Sequence, residues 1–137
     1  MPRRCAIVAF MHAQDLAIVK GLVSVAWADD RVADEEFEVI DALLAAYDAT
    51  PSEAREVRKF AESKRTLKDI ELSELGADDR RVLLQHAVLL TYIDGEQHKK
   101  ELELLEDLIG TLRIPPMEAE RIMASAASRA KSMLEAM

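Results

Sequence analysis

Apolar residues recur three and four positions apart along nearly the whole chain and nowhere alternate, a periodicity that predicts an all-α protein with no strand. A short first helix is expected over 4–12. Asp15 is placed to cap a second, over 16–28, that is apolar on almost every side (Leu16, Ile18, Val19, Leu22, Val23, Val25, Ala26, Trp27) and so should be surrounded by others. A third, over 34–48, carries Phe37, Ile40, Leu43, Leu44 and Tyr47 on one stripe and acidic residues on its other face. Thr50-Pro51-Ser52-Glu53 reads as a capping box that opens a fourth helix reaching about Ser63. The joint over 64–78 should hold one short helix near 67–72 and end at Gly76. Asp78 is expected to cap a second central helix over 79–93. A helix over 98–112 follows, and Pro115-Pro116 stops it and opens the last one.

The pattern repeats. A shift of 65 positions sets Asp29 on Asp94, Glu36 on Glu101, Pro51 on Pro116 and Glu53 on Glu118 without a gap. The same shift sets Phe37, Ile40, Leu43, Leu44, Tyr47 and Val57 on Leu102, Leu105, Leu108, Ile109, Leu112 and Ile122. Each copy is then a helix-turn-helix-turn-helix unit. The expected architecture is one domain over 1–137, a compact bundle of seven to eight helices made of two pseudo-symmetric repeats. Repeat 1 covers about 15–63 and repeat 2 about 79–124, with a helical extension to 137.

Composition narrows the function classes. With 137 residues a chain can bury roughly two thirds of its unfolded surface, so the core needs no staple. The single Cys5 excludes an internal disulfide and a thiolate metal cluster within one chain, which suits a reducing compartment, and the cytoplasm is the expected location. No apolar run reaches the roughly 18 residues of a membrane span, and neither a signal peptide nor an anchor is expected. The net charge of -8 opposes nucleic-acid binding. That charge is distributed unevenly: the run from Asp29 to Asp48 holds eight acidic residues against Arg31 alone, whereas Arg55, Arg58, Lys59, Lys64, Arg65 and Lys68 make a basic run.

The two acidic turns carry the candidate chemistry. Against the calcium loop of an EF-hand, Asp29 takes the fifth position, Asp30 the turn, Arg31 the carbonyl position, Val32 the apolar one and Glu36 the final bidentate position. The first and third positions fall on Val25 and Trp27, and in the second copy on Leu90 and Tyr92, none of which has a coordinating side chain, so a true EF-hand is excluded. What remains is an Asp seven residues ahead of a Glu, twice. Such a pair can hold a hard cation, Ca²⁺, Mg²⁺ or Mn²⁺. It can equally bond backbone amides, the Asp in an Asx-turn and the Glu against the helix dipole. Asp30 and His98 are secondary candidates, and His98 would be the one nitrogen ligand that could recruit Zn²⁺. His86 falls opposite Gly21 under the shift and is expected to be a hydrogen-bonded core histidine. Glu-x-x-His pairs, a phosphate loop, a zincin motif and a nucleophile elbow are all missing from the sequence.

Ala28-Asp29-Asp30-Arg31-Val32 with Glu36, and Ile93-Asp94-Gly95-Glu96-Gln97 with Glu101, resemble the doubled acidic motif of the tellurite-resistance TerB family over about 15–124. Asp30 replaces the family's turn glycine and Gln97 its aliphatic residue. The resemblance implies a compact helical domain with two related halves and a metal site at Asp29, Glu36, Asp94 and Glu101. It implies a non-catalytic scaffold or sensor in tellurite and chemical stress, working with protein partners in a membrane-associated complex without entering the membrane. Two alternatives stand beside it: a cation-dependent carboxylate enzyme, and a plain protein-interaction bundle whose acidic turns are structural. An enzyme needs a further base or nucleophile near the acids, and the sequence identifies none.

Overall fold

Helices α1 (Ala13–Ala26) and α4 (Ala77–Thr91) occupy the middle of the bundle, as their lack of a polar face requires. The computed structural model describes residues 13–27, 34–92 and 99–135; the helix expected over 4–12 and the tips of both acidic turns lie outside them. The other helices are α2 (Asp34–Ala46), α3 (Pro51–Ala61), α5 (Lys99–Leu112) and α6 (Pro116–Glu135). Among the described residues there are thus six α-helices and no strand. None of these helices is long and apolar enough to cross a membrane.

α1 packs against α4, α3 and α2, and α4 against α6, α1 and α5. Ile18, Val19, Leu22 and Val23 from α1 meet Leu83, Leu84, Ala87 and Val88 from α4 in one core, joined by Ile40, Leu44, Val57, Leu105, Leu108 and Leu112. Each large side chain buried there is worth about 1.5–3 kcal/mol, well above the few tenths that separate ordinary helix propensities. Packing therefore decides why Val- and Ile-rich segments are helical here. Of the stripe expected on the helices beside the acidic turns, Ile40, Leu44, Leu105, Leu108 and Leu112 are buried and Phe37, Leu43, Tyr47 and Ile109 half-buried, whereas Leu102, on the first turn of α5, is 41 % exposed.

The ends of the helices show what local chemistry controls. Thr50 caps α3 as expected, its hydroxyl accepting from the Glu53 amide (3.2 Å) while its own amide donates to Glu53 Oε1 (2.8 Å). α2 and α5 both end in a left-handed residue, Asp48 (φ 57) and Arg113 (φ 58). The following amides turn back to the helix, Ala49 N to Leu44 O (2.9 Å) and Ile114 N to Ile109 O (3.2 Å). Two non-glycine residues in that conformation cost about 1 kcal/mol each, which the recovered carbonyl bonds offset.

Three boundary expectations are corrected. α1 begins at Ala13, so Asp15 lies inside its first turn, where its carboxylate complements the helix dipole, rather than capping it. α4 begins at Ala77 after Gly76, whose amide donates to Asp79 Oδ2 (2.9 Å), and Asp78 is an exposed first-turn residue paired with Arg81. The carboxylate that reaches back to the cap position starts this helix, so the start falls two residues early. The joint holds two 3-10 turns, Leu67–Asp69 and Leu72–Glu74, instead of one helix. Thr66 and Asp69 close a capping box on the first (Lys68 N to Thr66 Oγ1 3.3 Å, Thr66 N to Asp69 Oδ2 2.8 Å), which favours a single tight turn over a longer helix.

Candidate functional site

Each acidic junction leaves a central helix just after an aromatic residue and enters a peripheral helix whose third residue is a glutamate. After α1 comes Trp27, whose indole Nε1 donates to Ala61 O (2.9 Å) and ties the exit of the first junction to the end of α3. After α4 comes Tyr92, buried, with the Lys131 ammonium 6.0 Å from its ring centroid. These anchors fix where the chain leaves the core, so the junctions start from rigid positions.

Of the predicted ligands, Glu36 and Glu101 are described: each is half-buried at the third position of its helix, 65 residues apart, and each interacts with a neighbouring group. Asp29, Asp30, Asp94 and His98 lie outside the described residues. Among the described residues no group of three or more His, Cys, Asp or Glu side chains is placed to hold a metal ion. As a donor set, Asp29, Glu36, Asp94 and Glu101 supply hard carboxylate oxygens and nothing soft, which matches Ca²⁺, Mg²⁺ or Mn²⁺ and not a thiolate-seeking metal.

His86, expected as a hydrogen-bonded core histidine, is half-buried at the edge of the core. Its Nε2 lies 3.5 Å from the Tyr47 hydroxyl, linking α4 to the end of α2, and burial pushes its pKa below 6.5. The Tyr47 phenol is raised by its own burial and then by the Asp15 and Asp79 carboxylates, so it stays protonated throughout the neutral range. Because the folded state holds His86 neutral more firmly than the unfolded chain does, its contribution to stability is complete above pH 6.5. That contribution is lost as the pH falls through 6.5 toward the lowered folded value. His86→Gln should accordingly flatten the stability-versus-pH curve on the acid side of neutrality; urea midpoints that fall equally steeply in both chains would reject this assignment.

Two constellations were not legible in the linear sequence. The Arg80 guanidinium donates to three carbonyls, Leu75 O (3.0 Å), Leu112 O (3.1 Å) and Leu72 O (3.1 Å), and so binds the joint and the end of α5 to α4. On the opposite half, the Phe60 ring carries the Arg65 guanidinium 3.9 Å from its centroid and the Lys20 ammonium at 5.5 Å. The unusual place of a cation at the start of α4, against the dipole, was the one signal that could have marked Arg80.

Two central helices, each followed by a junction into a helix whose third residue is a glutamate, define a small helical module, all-α among the described residues. Residues 15–124 match the family model TerB, tellurite resistance protein TerB, and the chain belongs to that family. No curated protein and no solved structure is significantly similar to it.

Proposed function

We propose that this TerB-family chain is a non-catalytic, cation-responsive interaction module of the tellurite and chemical stress response, acting in the cytoplasm with protein partners in a membrane-associated complex. The cation is Ca²⁺, Mg²⁺ or Mn²⁺, held by Asp29 and Glu36 in one turn and Asp94 and Glu101 in the other, with Asp30 and His98 as further donors. The observation that supports this reading is the common placement of Glu36 and Glu101, both half-buried third residues of helices that follow a central helix. The two halves are read as pseudo-symmetric copies, since helix starts at Pro51 and Pro116 and left-handed ends at Asp48 and Arg113 recur at the same shift. A bound cation would draw each Asp toward its Glu, stiffen the junction and set the surface that a partner meets.

A ligand that binds only the folded chain, present at about ten times its Kd, stabilises by about 1.4 kcal/mol and raises the Tm by roughly 5 °C. Mn²⁺ or Ca²⁺ should do this, and Asp29→Asn combined with Asp94→Asn should abolish the rise while leaving the metal-free Tm nearly unchanged. Calorimetric titration without saturable binding of Ca²⁺, Mg²⁺, Mn²⁺ or Zn²⁺ would sink the cation reading and leave the acidic turns as helix caps of a plain interaction bundle.

A further inference from the structure

The basic run that the acidic junctions do not explain folds into a groove beside the C-terminal end of α3. A cavity of about 340 Å³ is lined there by Lys20, Lys59, Phe60 and Arg65 together with Glu56 and Glu62, the first of which is engaged by Lys20. Arg65 is the centre of it. Its Nε donates to Phe60 O (2.8 Å) and its guanidinium lies over the Phe60 ring, so the side chain is held from two directions. Neither of its Nη groups donates to any described residue. Lys59 is exposed and has no ion-pair partner among the described residues, whereas Lys20 is held by Glu56 Oε2 at 2.5 Å. The groove therefore presents one immobilised guanidinium fork and one uncommitted ammonium beside a half-buried aromatic ring.

We propose that this groove docks a carboxylate-rich segment of a partner protein, with Arg65 taking one carboxylate through its Nη groups and Lys59 a second. The inference goes beyond the cation reading and uses none of the acidic-junction residues. A planar fork already fixed by stacking loses little freedom on binding, and it matches a carboxylate in a bidentate pair. Charge selects the occupant. The 55–68 run carries six basic against two acidic residues within a chain of net charge -8. A short acidic peptide samples only that local field. An anionic membrane or a nucleic acid, extended beyond the Debye length of about 8–10 Å, also meets the surrounding negative charge.

The probe is a fluorescently labelled peptide of alternating glutamate and serine, titrated by anisotropy against the full chain in EDTA, so that failure here and failure of the cation reading remain distinct. The expected result is saturable binding that weakens about tenfold between about 50 mM and about 300 mM NaCl. Lys59→Glu, at a side chain with no described partner, should weaken it about tenfold without moving the Tm. Arg65→Lys, which keeps the charge and removes the fork, should weaken it on the order of fivefold. Arg121→Glu, at an exposed position of α6, should leave it unchanged. Absence of saturable binding at low salt, or equal binding by the Lys59 and Arg65 variants, overturns the proposal. So does tighter binding to vesicles containing phosphatidylglycerol with the same sensitivity to those variants, which would give the groove to a lipid headgroup. Sedimentation showing a dimer that Lys59→Glu dissolves would give it to a second copy of this chain and equally overturn the proposal.

Discussion

Leu83→Ala is expected to lower the unfolding free energy by about 2–5 kcal/mol, the range for emptying a fully buried leucine site. Leu83 has no solvent exposure and packs against Gly21 of α1. A Cβ built on Gly21 would stand 2.7 Å from Leu83 Cδ2 and 3.3 Å from Cδ1, so the two positions share one volume. Gly21→Leu alone should then cost about 1–3 kcal/mol by overpacking, even though leucine is the better helix former. Combined, the two substitutions should cost clearly less than their sum, because the new leucine fills the space the old one leaves. Urea unfolding of the four chains provides the cycle. Additive losses would mean that Gly21 and Leu83 do not share that volume and would reject this account of the helix crossing.

Arg80→Met is expected to cost about 2–3 kcal/mol, the second largest effect. Three carbonyls lose a charged donor at once, two in the joint and one at the end of α5. The site is half-buried, so water recovers part of each bond, and the total stays well below three full charge-assisted bonds. Arg80→Lys should recover less than half of the loss, since one ammonium on a flexible stem cannot reach three carbonyls in different directions. A urea midpoint for Arg80→Met within error of the parent, at unchanged m-value, would show that the joint is held by its apolar contacts alone.

What was legible in the sequence is what short-range chemistry decides. Thr50, Pro51 and Glu53 specify a helix start within four residues, and Pro116 does the same for α6, so both were placed correctly. The periodic apolar residues of α1 and α4 named the two central helices, because a helix without a polar face has to be covered by others. Starts that depend on competition between neighbouring carboxylates were less readable: Asp78 and Asp79 are both plausible first-turn acids, and only the backbone direction at Gly76 decides which one reaches back. Tyr47 with His86, and Arg80 with the Leu112 carbonyl, join positions 39 and 32 residues apart and depend on how helices cross, which periodicity does not encode. At the candidate site the shift of 65 placed Glu36 and Glu101 on equivalent helix positions. The ligands' mutual distances are tertiary quantities that no spacing rule supplies.

The mutual packing of α1 and α4 also bears on how such a chain can be divided. Cut in the joint between Leu72–Glu74 and Ala77–Thr91, either half would bare the flank of its central helix that the other half covers, including Leu22 and Val23 on one side and Leu83 and Leu84 on the other. A half-length polypeptide would need another surface to hide that flank, whether the other half or a second copy of itself. The seam between α1 and α4 is thus built like a dimer interface closed within one chain, with the joint as its tether holding the two halves at a fixed one-to-one ratio.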